Sequence, residues 1–191
     1  TEKSEREIPI ISFDYMYMSS RSYGDRNPII VIKDHFQGGV WSIMALRKGG
    51  HSTYIASRTA KIIRDVEYKR CILKCDQEPA VKELKKEVRE ELWKEIKAVS
   101  DEVRNILGEN RVEVSAGAPS KIRMENSPVG ESESNGMVER AIQSVQGQIR
   151  TIKDTIETEA KMSISPDNNI WPWLIEYAGY TLLANKMDSD G

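Results

Sequence analysis

The run Ile8-Pro9-Ile10-Ile11-Ser12-Phe13-Asp14-Tyr15-Met16-Tyr17-Met18 constrains the fold more than any other stretch, because it is rich in strand formers and carries a single acid at its middle. An ionised carboxylate in apolar surroundings is heavily penalised unless it is paired or bound to a metal. The run therefore reads as a central strand, and Asp14 requires a cation. The polar stretch Ser19 to Asn27 ends it. Pro28–Lys33 then reads as a second strand and Val40–Leu46 as a third, joined by a Gly38-Gly39 hairpin turn into an antiparallel meander.

Further along, the period lengthens. Gly49-Gly50 punctuates, and Ser52 can cap a helix reaching about Glu67, with Ile55, Ala56, Ala60, Ile62, Ile63 and Val66 roughly at helical spacing. A short strand, Cys71–Cys75, ends at Asp76. From Val81 to Leu107, Val81, Leu84, Val88, Leu92, Ile96, Val99, Val103 and Leu107 recur every three or four residues, predicting an amphipathic helix about 40 Å long. Its charged face reads as solvated Glu/Lys pairs, with a coiled-coil contact to another subunit as the sharper alternative. A glycine-, proline- and serine-rich region follows Gly108, then a short strand at Lys121–Met124 and a polar loop from Glu125 to Gly136, a candidate mobile element beside a site. A helix over Gly136–Glu159 comes next. The last helix starts near Pro172 and carries Trp173, Leu174, Tyr177, Tyr180, Leu183 and Ala184. This order predicts a mixed α/β domain with helices packed on one sheet.

A length of 191 residues suits one domain. No stretch approaches the roughly 20 apolar residues that cross a bilayer, and Thr1–Glu7 lacks the apolar block of a secretory signal, so a protein that is neither membrane-bound nor secreted is expected. On a shared strand, Cys71 and Cys75 stand about 13 Å apart, too far for a disulfide. The 28 basic residues against 30 acidic give a net charge of −2, so any nucleic-acid role must rest on a local site. Residues 1–7 read as a flexible segment and 188–191 as a turn-like tail, as in an excised domain.

Two further acids stand out. Asp76 closes an apolar strand at its carboxyl end, where open α/β sheets place ligands, and it meets Asp14 if the two strands are neighbours. Val138, Ile142, Val145, Ile149, Ile152 and Ile156 form one apolar helical stripe, while Glu139, Gln143, Gln146, Arg150 and Lys153 form a second about 100° away. Glu139 thus sits at the border of core and solvent, at the head of a polar rail suited to a bound strand. Other features are bland. His35, His51, Cys71 and Cys75 lack the paired short spacing of a zinc site. Trp171 and Trp173 read as core beside an apolar stripe. Gly38-Gly39 lacks the pattern of a phosphate loop.

The segment Ser127-Pro128-Val129-Gly130-Glu131-Ser132-Glu133-Ser134-Asn135-Gly136-Met137-Val138-Glu139-Arg140 resembles the one that carries the third acid in integrase catalytic cores of retroviruses and LTR retrotransposons, copia-like and related elements above all. The Asp14 strand, the Asp76 strand and the late helix ending Leu183-Ala184-Asn185-Lys186 follow in that family's order, so the resemblance covers 8–187. It implies a ribonuclease H-like fold: a mixed five-stranded sheet with helices on both faces, here with an insertion at about 81–120, between the second and third acids. It implies that Asp14, Asp76 and Glu139 are catalytic and hold two Mg²⁺ or Mn²⁺ ions for in-line displacement at phosphorus. The chemistry implied is trimming of the element's DNA 3′ ends followed by their joining to target DNA. Contacts to DNA would come from Asn135, Arg140, Gln143, Gln146 and Arg150. Self-association is implied too, in the nucleus or a cytoplasmic retroelement particle. Three departures are visible: 62 residues lie between Asp76 and Glu139, many more than in retroviral members, Asp76 is followed by Gln77-Glu78-Pro79 rather than Asn-Gly, and glutamines stand where retroviral members often place lysines. Two other readings stand beside this one, a ribonuclease H-like nuclease that cuts without joining and a catalytically inert, domesticated interaction module.

Overall fold

Five apolar segments pair into one mixed sheet in a computed structural model that describes residues 8–18, 27–49, 53–107, 121–126 and 132–189. The strands are β1 (Ile10–Met16), β2 (Ile29–Asp34), β3 (Val40–Met44), β4 (Arg70–Cys75) and β5 (Lys121–Asn126), in the spatial order β3-β2-β1-β4-β5. The first three form the expected antiparallel meander, while β4 joins β1 in parallel and β5 joins β4 in parallel. A parallel neighbour needs a crossover. Helix α1 (Thr53–Asp65) leads to β4, and α2 (Pro79–Leu107) precedes β5. Two helices close the domain, α3 (Ser132–Ala160) and α4 (Trp171–Ser189).

Alternation along β1 divides the core in two. Ile11, Phe13 and Tyr15 face a cluster that includes Ile55, Ala60 and Ile63 of α1 and Val81, Leu84, Val88 and Leu92 of α2. Met16, with Met18 beyond the strand, joins Ile29 and Val31 under Ala141, Val145 and Ile149 of α3 and Leu174, Ile175 and Ala178 of α4. The sheet is thus covered on both faces, with β1 at its centre, as its apolar sequence demands. The first half of α2 is core: Val81, Leu84, Val88 and Leu92 are fully buried, and the buried Lys85 ammonium donates to the Glu125 carbonyl of β5 at 2.6 Å. The side chains of Ile96, Val99, Val103 and Leu107 lie outside the described residues.

Gly38 takes a positive φ of 78° in the β2–β3 hairpin, where Asp34 N donates to Gly39 O. A side chain at Gly39 would meet the Trp41 ring at 2.3 Å.

Several expected boundaries shift. The polar loop expected over Glu125–Gly136 is shorter at both ends. Glu125 and Asn126 stay in the β4–β5 ladder, opposite Lys74 and Cys75, and α3 already begins at Ser132, whose Ser-Glu-Ser sequence suits a first helical turn. The tail expected from 188 is helical through Ser189. Helix α4 also faces differently. Trp171 is buried as expected, whereas Trp173 is 53% exposed and stacks on Tyr177, with Tyr177 in turn stacking on an exposed Tyr180. The buried set Trp171, Leu174, Ile175 and Ala178 has equally helical spacing, and small residues at 178 and 179 let it approach β3 closely. A side chain at Gly179 would lie 2.8 Å from Ser42 N, and Ser42 Oγ donates to Ile175 O at 2.6 Å. Segment 1–7, expected to be flexible, the Ser52 cap, most of the turn after Met18, the region 108–120 and the centre of the polar loop lie outside the described residues. Among the described residues no helix is long and apolar enough to cross a membrane.

Leu84→Ala should therefore cost about 3 kcal/mol of unfolding free energy, while Leu46→Ala, at an 83% exposed position, should change it by less than about 0.5 kcal/mol. Urea denaturation of the two variants checks this, and equal midpoints would place α2 outside the core.

Candidate active site

The first acid is positioned by strand alternation. Asp14 lies between Phe13 and Tyr15, which point to the α1–α2 side, so its carboxylate projects with Met16 toward the α3 side. The second acid is positioned by register. Ile10, Ile11 and Ser12 pair with Ile72, Leu73 and Lys74, and carrying that register forward two residues sets Asp14 level with Asp76, on strands about 5 Å apart. The two carboxylates act on one another accordingly. The two strands are neighbours, which is the condition on which the sequence reading lets the two acids meet.

Asp14 is half-buried, and its carboxyl is pushed up to about 6. Burial is the main cause. The Tyr15 N–H, which donates to Asp14 Oδ1 at 2.7 Å, works against it, the charges of Asp76 and Glu78 add to it, and Lys48 opposes it. The sequence reading passed over Glu78 and Lys48. Glu78 stands two residues beyond Asp76 and just before the first residue of α2, where its carbonyl accepts from Val81 N and Lys82 N. Lys48, from the turn after β3, donates to both oxygens of Glu78 at 2.9 and 3.1 Å. The only signal for Glu78 was a second acid in Asp76-Gln77-Glu78; for Lys48 there was none, since it is a lone lysine distant in sequence.

The donor set suits a hard cation. Asp14 and Asp76 offer carboxylate oxygens, the ligands Mg²⁺ prefers, and a half-buried carboxylate raised by like charges is the environment a divalent ion relieves. Soft ligation has no support here, because burial pushes up the neighbouring Cys75 thiol. Neither cysteine is in a disulfide, and both are buried. His35 is engaged with Ser12, Oγ to Nε2 at 2.6 Å, and burial lowers its pKa. His51 lies outside the described residues.

The third acid is placed differently from the other two. Glu139 is exposed on α3, and among the described residues no three Asp, Glu, His or Cys side chains converge to hold a metal. Helix α3 is nonetheless docked beside the strand of the first acid, since Gln146 Nε2 donates to Tyr17 O at 3.2 Å. Glu139 lies roughly 10 Å along the helix from Gln146, and Asp14 roughly 10 Å along the chain from Tyr17. Of the expected apolar stripe, Val138, Val145 and Ile149 are buried and Ile142, Ile152 and Ile156 partly so, with Ala141 buried beside them, whereas Glu139, Arg140, Gln143 and Arg150 are exposed. Gln146 is half-buried against Tyr17, and Lys153 pairs with Glu157 at 2.5 Å. The Asn135 side chain lies outside the described residues.

With this geometry, the fold is the one seen in retroviral integrase catalytic cores. A chain of the simian T-cell lymphotropic virus intasome in complex with PP2A regulatory subunit B56 gamma matches with a TM-score of 0.53 and 15% identity, over 90% of this chain and 47% of that one. The HTLV-2 integrase catalytic core domain in complex with magnesium, in its dimeric form, matches with a TM-score of 0.50 and 17% identity, over 92% and 88% of the two chains. The chain thus spans about half the length of the intasome chain. No family model matches the sequence, and no curated protein does.

The raised Asp14 carboxyl fixes a sign. The unfolded chain ionises this group near 3.8 and the folded chain near 6, so folding loses stability as pH rises from about 4 to about 6.5 and stays penalised above. In chelator, Asp14→Asn should raise stability by about 1–2 kcal/mol at pH 8 and by almost nothing at pH 3.5. Unfolding curves at the two pH values measure this, and a variant destabilised at pH 8 would contradict the stated environment.

Proposed function

We propose that this chain is the catalytic core of a retroelement integrase, a metal-dependent polynucleotidyl transferase. The carrying observation is the parallel β1–β4 register, which sets Asp14 level with Asp76 at the carboxyl ends of central strands in a ribonuclease H-like sheet. In the assignment that follows, Asp14 and Asp76 hold divalent cations together with Glu139, which α3 supplies from the helix docked beside β1. Use of a divalent metal accords with the magnesium-bound state of the HTLV-2 core and with the oxygen donors present.

When bound, such ions activate the attacking oxygen and stabilise the leaving one at phosphorus. The chain's own residues do the rest. Asp14 and Asp76 would hold the cations, and through them the reacting phosphate, against rigid strands, and burial of Asp14 keeps bulk water from diluting the field there. Arg140 and Arg150, exposed on α3, offer charge to the DNA backbone, and Gln143 offers hydrogen bonds to sugar or base. Asn135, at the start of α3, and Gln146, next to β1, complete the proposed strand contact. The substrates are the element's DNA ends, trimmed first by water and then joined through their 3′-hydroxyls to target DNA. A pair of ends must be held together, so the working form is an oligomer of this chain, in the nucleus or a retroelement particle.

Mn²⁺ should raise the melting temperature of the wild type, the stabilisation reaching about 2.7 kcal/mol at a hundredfold excess over Kd. Asp14→Asn and Asp76→Asn should remove that response, and with Glu139→Gln they should reduce nicking and strand transfer to background while leaving the fold intact. Melting curves and an assay with a recessed 3′ end plus target DNA measure both. Nicking without joined product would make the chain a plain nuclease, indifference to Mn²⁺ would make it an inert module, and full activity of a folded Glu139→Gln variant would remove Glu139 from the site.

A further inference from the structure

The turn after β3 brings Lys48 against the neighbours of both acids in the chain, Glu78 two residues beyond Asp76 and Tyr15 next to Asp14. Its ammonium is held by Glu78 and lies 5.8 Å and 5.2 Å from the centroids of the Tyr15 and Tyr17 rings. Cation-to-ring distances of this size are attractive, so three groups define its position. The backbone behind it is fixed as well. Gly49 has a positive φ of 84°, and a side chain there would stand 3.2 Å from Glu83 Oε2 and 3.6 Å from Ala80 Cβ, so the turn is seated on the start of α2. The charge of Lys48 acts on Asp14, holding its carboxyl down against burial.

The contact with Glu78 is part-exposed on both sides, 27% and 37%, and an ion pair of that kind is weak. Lysine carries a point charge on a flexible four-carbon stem, so exchange of partner needs only side-chain rotation. A phosphate entering over Asp14 and Asp76 brings negative charge that the nearby glutamines cannot neutralise. Lys48 is placed to meet it.

We propose that Lys48 is a substrate-positioning residue that leaves Glu78 to contact a backbone phosphate of the DNA strand seated over Asp14 and Asp76. This rests on the polynucleotidyl-transfer reading above. It makes the Lys48–Glu78 pair a resting state, in which Glu78 parks the ammonium at the mouth of the site. A clasp that merely ties two loops together makes the opposite prediction, since removal of either partner breaks the same contact.

The test is duplex DNA with a recessed 3′ end, bound in Ca²⁺ and followed by fluorescence anisotropy across a salt series. Lys48→Ala should weaken binding about five- to tenfold and lower the slope of log K against log salt by about 0.9, the loss of one phosphate contact. Lys48→Arg should keep the wild-type slope, and Glu78→Gln, which frees the ammonium, should bind as tightly as wild type or more tightly. Thermal melts check that each variant folds, with Lys48→Gln replacing Lys48→Ala if the latter does not. Equal losses in Lys48→Ala and Glu78→Gln, or an unchanged slope in Lys48→Ala, would overturn the proposal alone. A wild type with no salt-dependent DNA binding would overturn the polynucleotide reading with it.

Discussion

Parallel pairing of β1 with β4 is the constraint on which the rest of the molecule depends. Side chains alternate along a strand, so a slip of one residue would turn Asp14 into the α1–α2 core and leave Phe13 facing α3. Two buried faces forbid that slip. Phe13 and Leu73 are fully buried on one side, Met16 and Val31 are buried on the other, and the Ile72 amide is tied to the Pro9 carbonyl at 2.8 Å. The hydrophobic core therefore sets the position of two acids that themselves contribute nothing to it.

Asp14 is a burden on the folded state. Its surroundings remove water and add the charges of Asp76 and Glu78, and the backbone amide of Tyr15 compensates only in part. A fold selected for stability alone would place an aliphatic residue there, as it does at Val31 on the neighbouring strand. Perturbed carboxylates concentrate at functional sites for this reason. Asp34 shows the contrasting solution: fully buried at the end of β2, it accepts from Tyr68 Oη at 2.6 Å and Phe36 N at 2.8 Å, so its polar needs are met within the hairpin region.

The element order, the meander and the misfit of Asp14 were legible in the sequence because each is a local signal of period or chemistry, whereas the parallel entry of β4 beside β1 is a tertiary pairing that no local signal carries. The α3 stripe was legible for the same reason. Helix α4 was not. Trp171, Trp173, Leu174, Ile175, Tyr177 and Tyr180 surround its axis, so periodicity could not say which side is buried. Gly179 and Ser42 decide that by permitting close approach, a tertiary fact. Lys48 and Glu78 escaped notice because their contact joins two turns that only the β1–β4 crossover brings together. Asp34 escaped because it closes a strand next to a turn, where an acid is unremarkable until its burial is known.

The long α2 looks like an added module when the spacing of the acids is set against the retroviral pattern, yet one face of its first four turns is core and Lys85 stitches them to β5. A deletion that shortens this helix would have to fall beyond Leu92, since any earlier excision would remove a wall of the domain. Length variation in this segment should therefore be confined to its distal half, with the proximal half as invariant in extent as the sheet it covers.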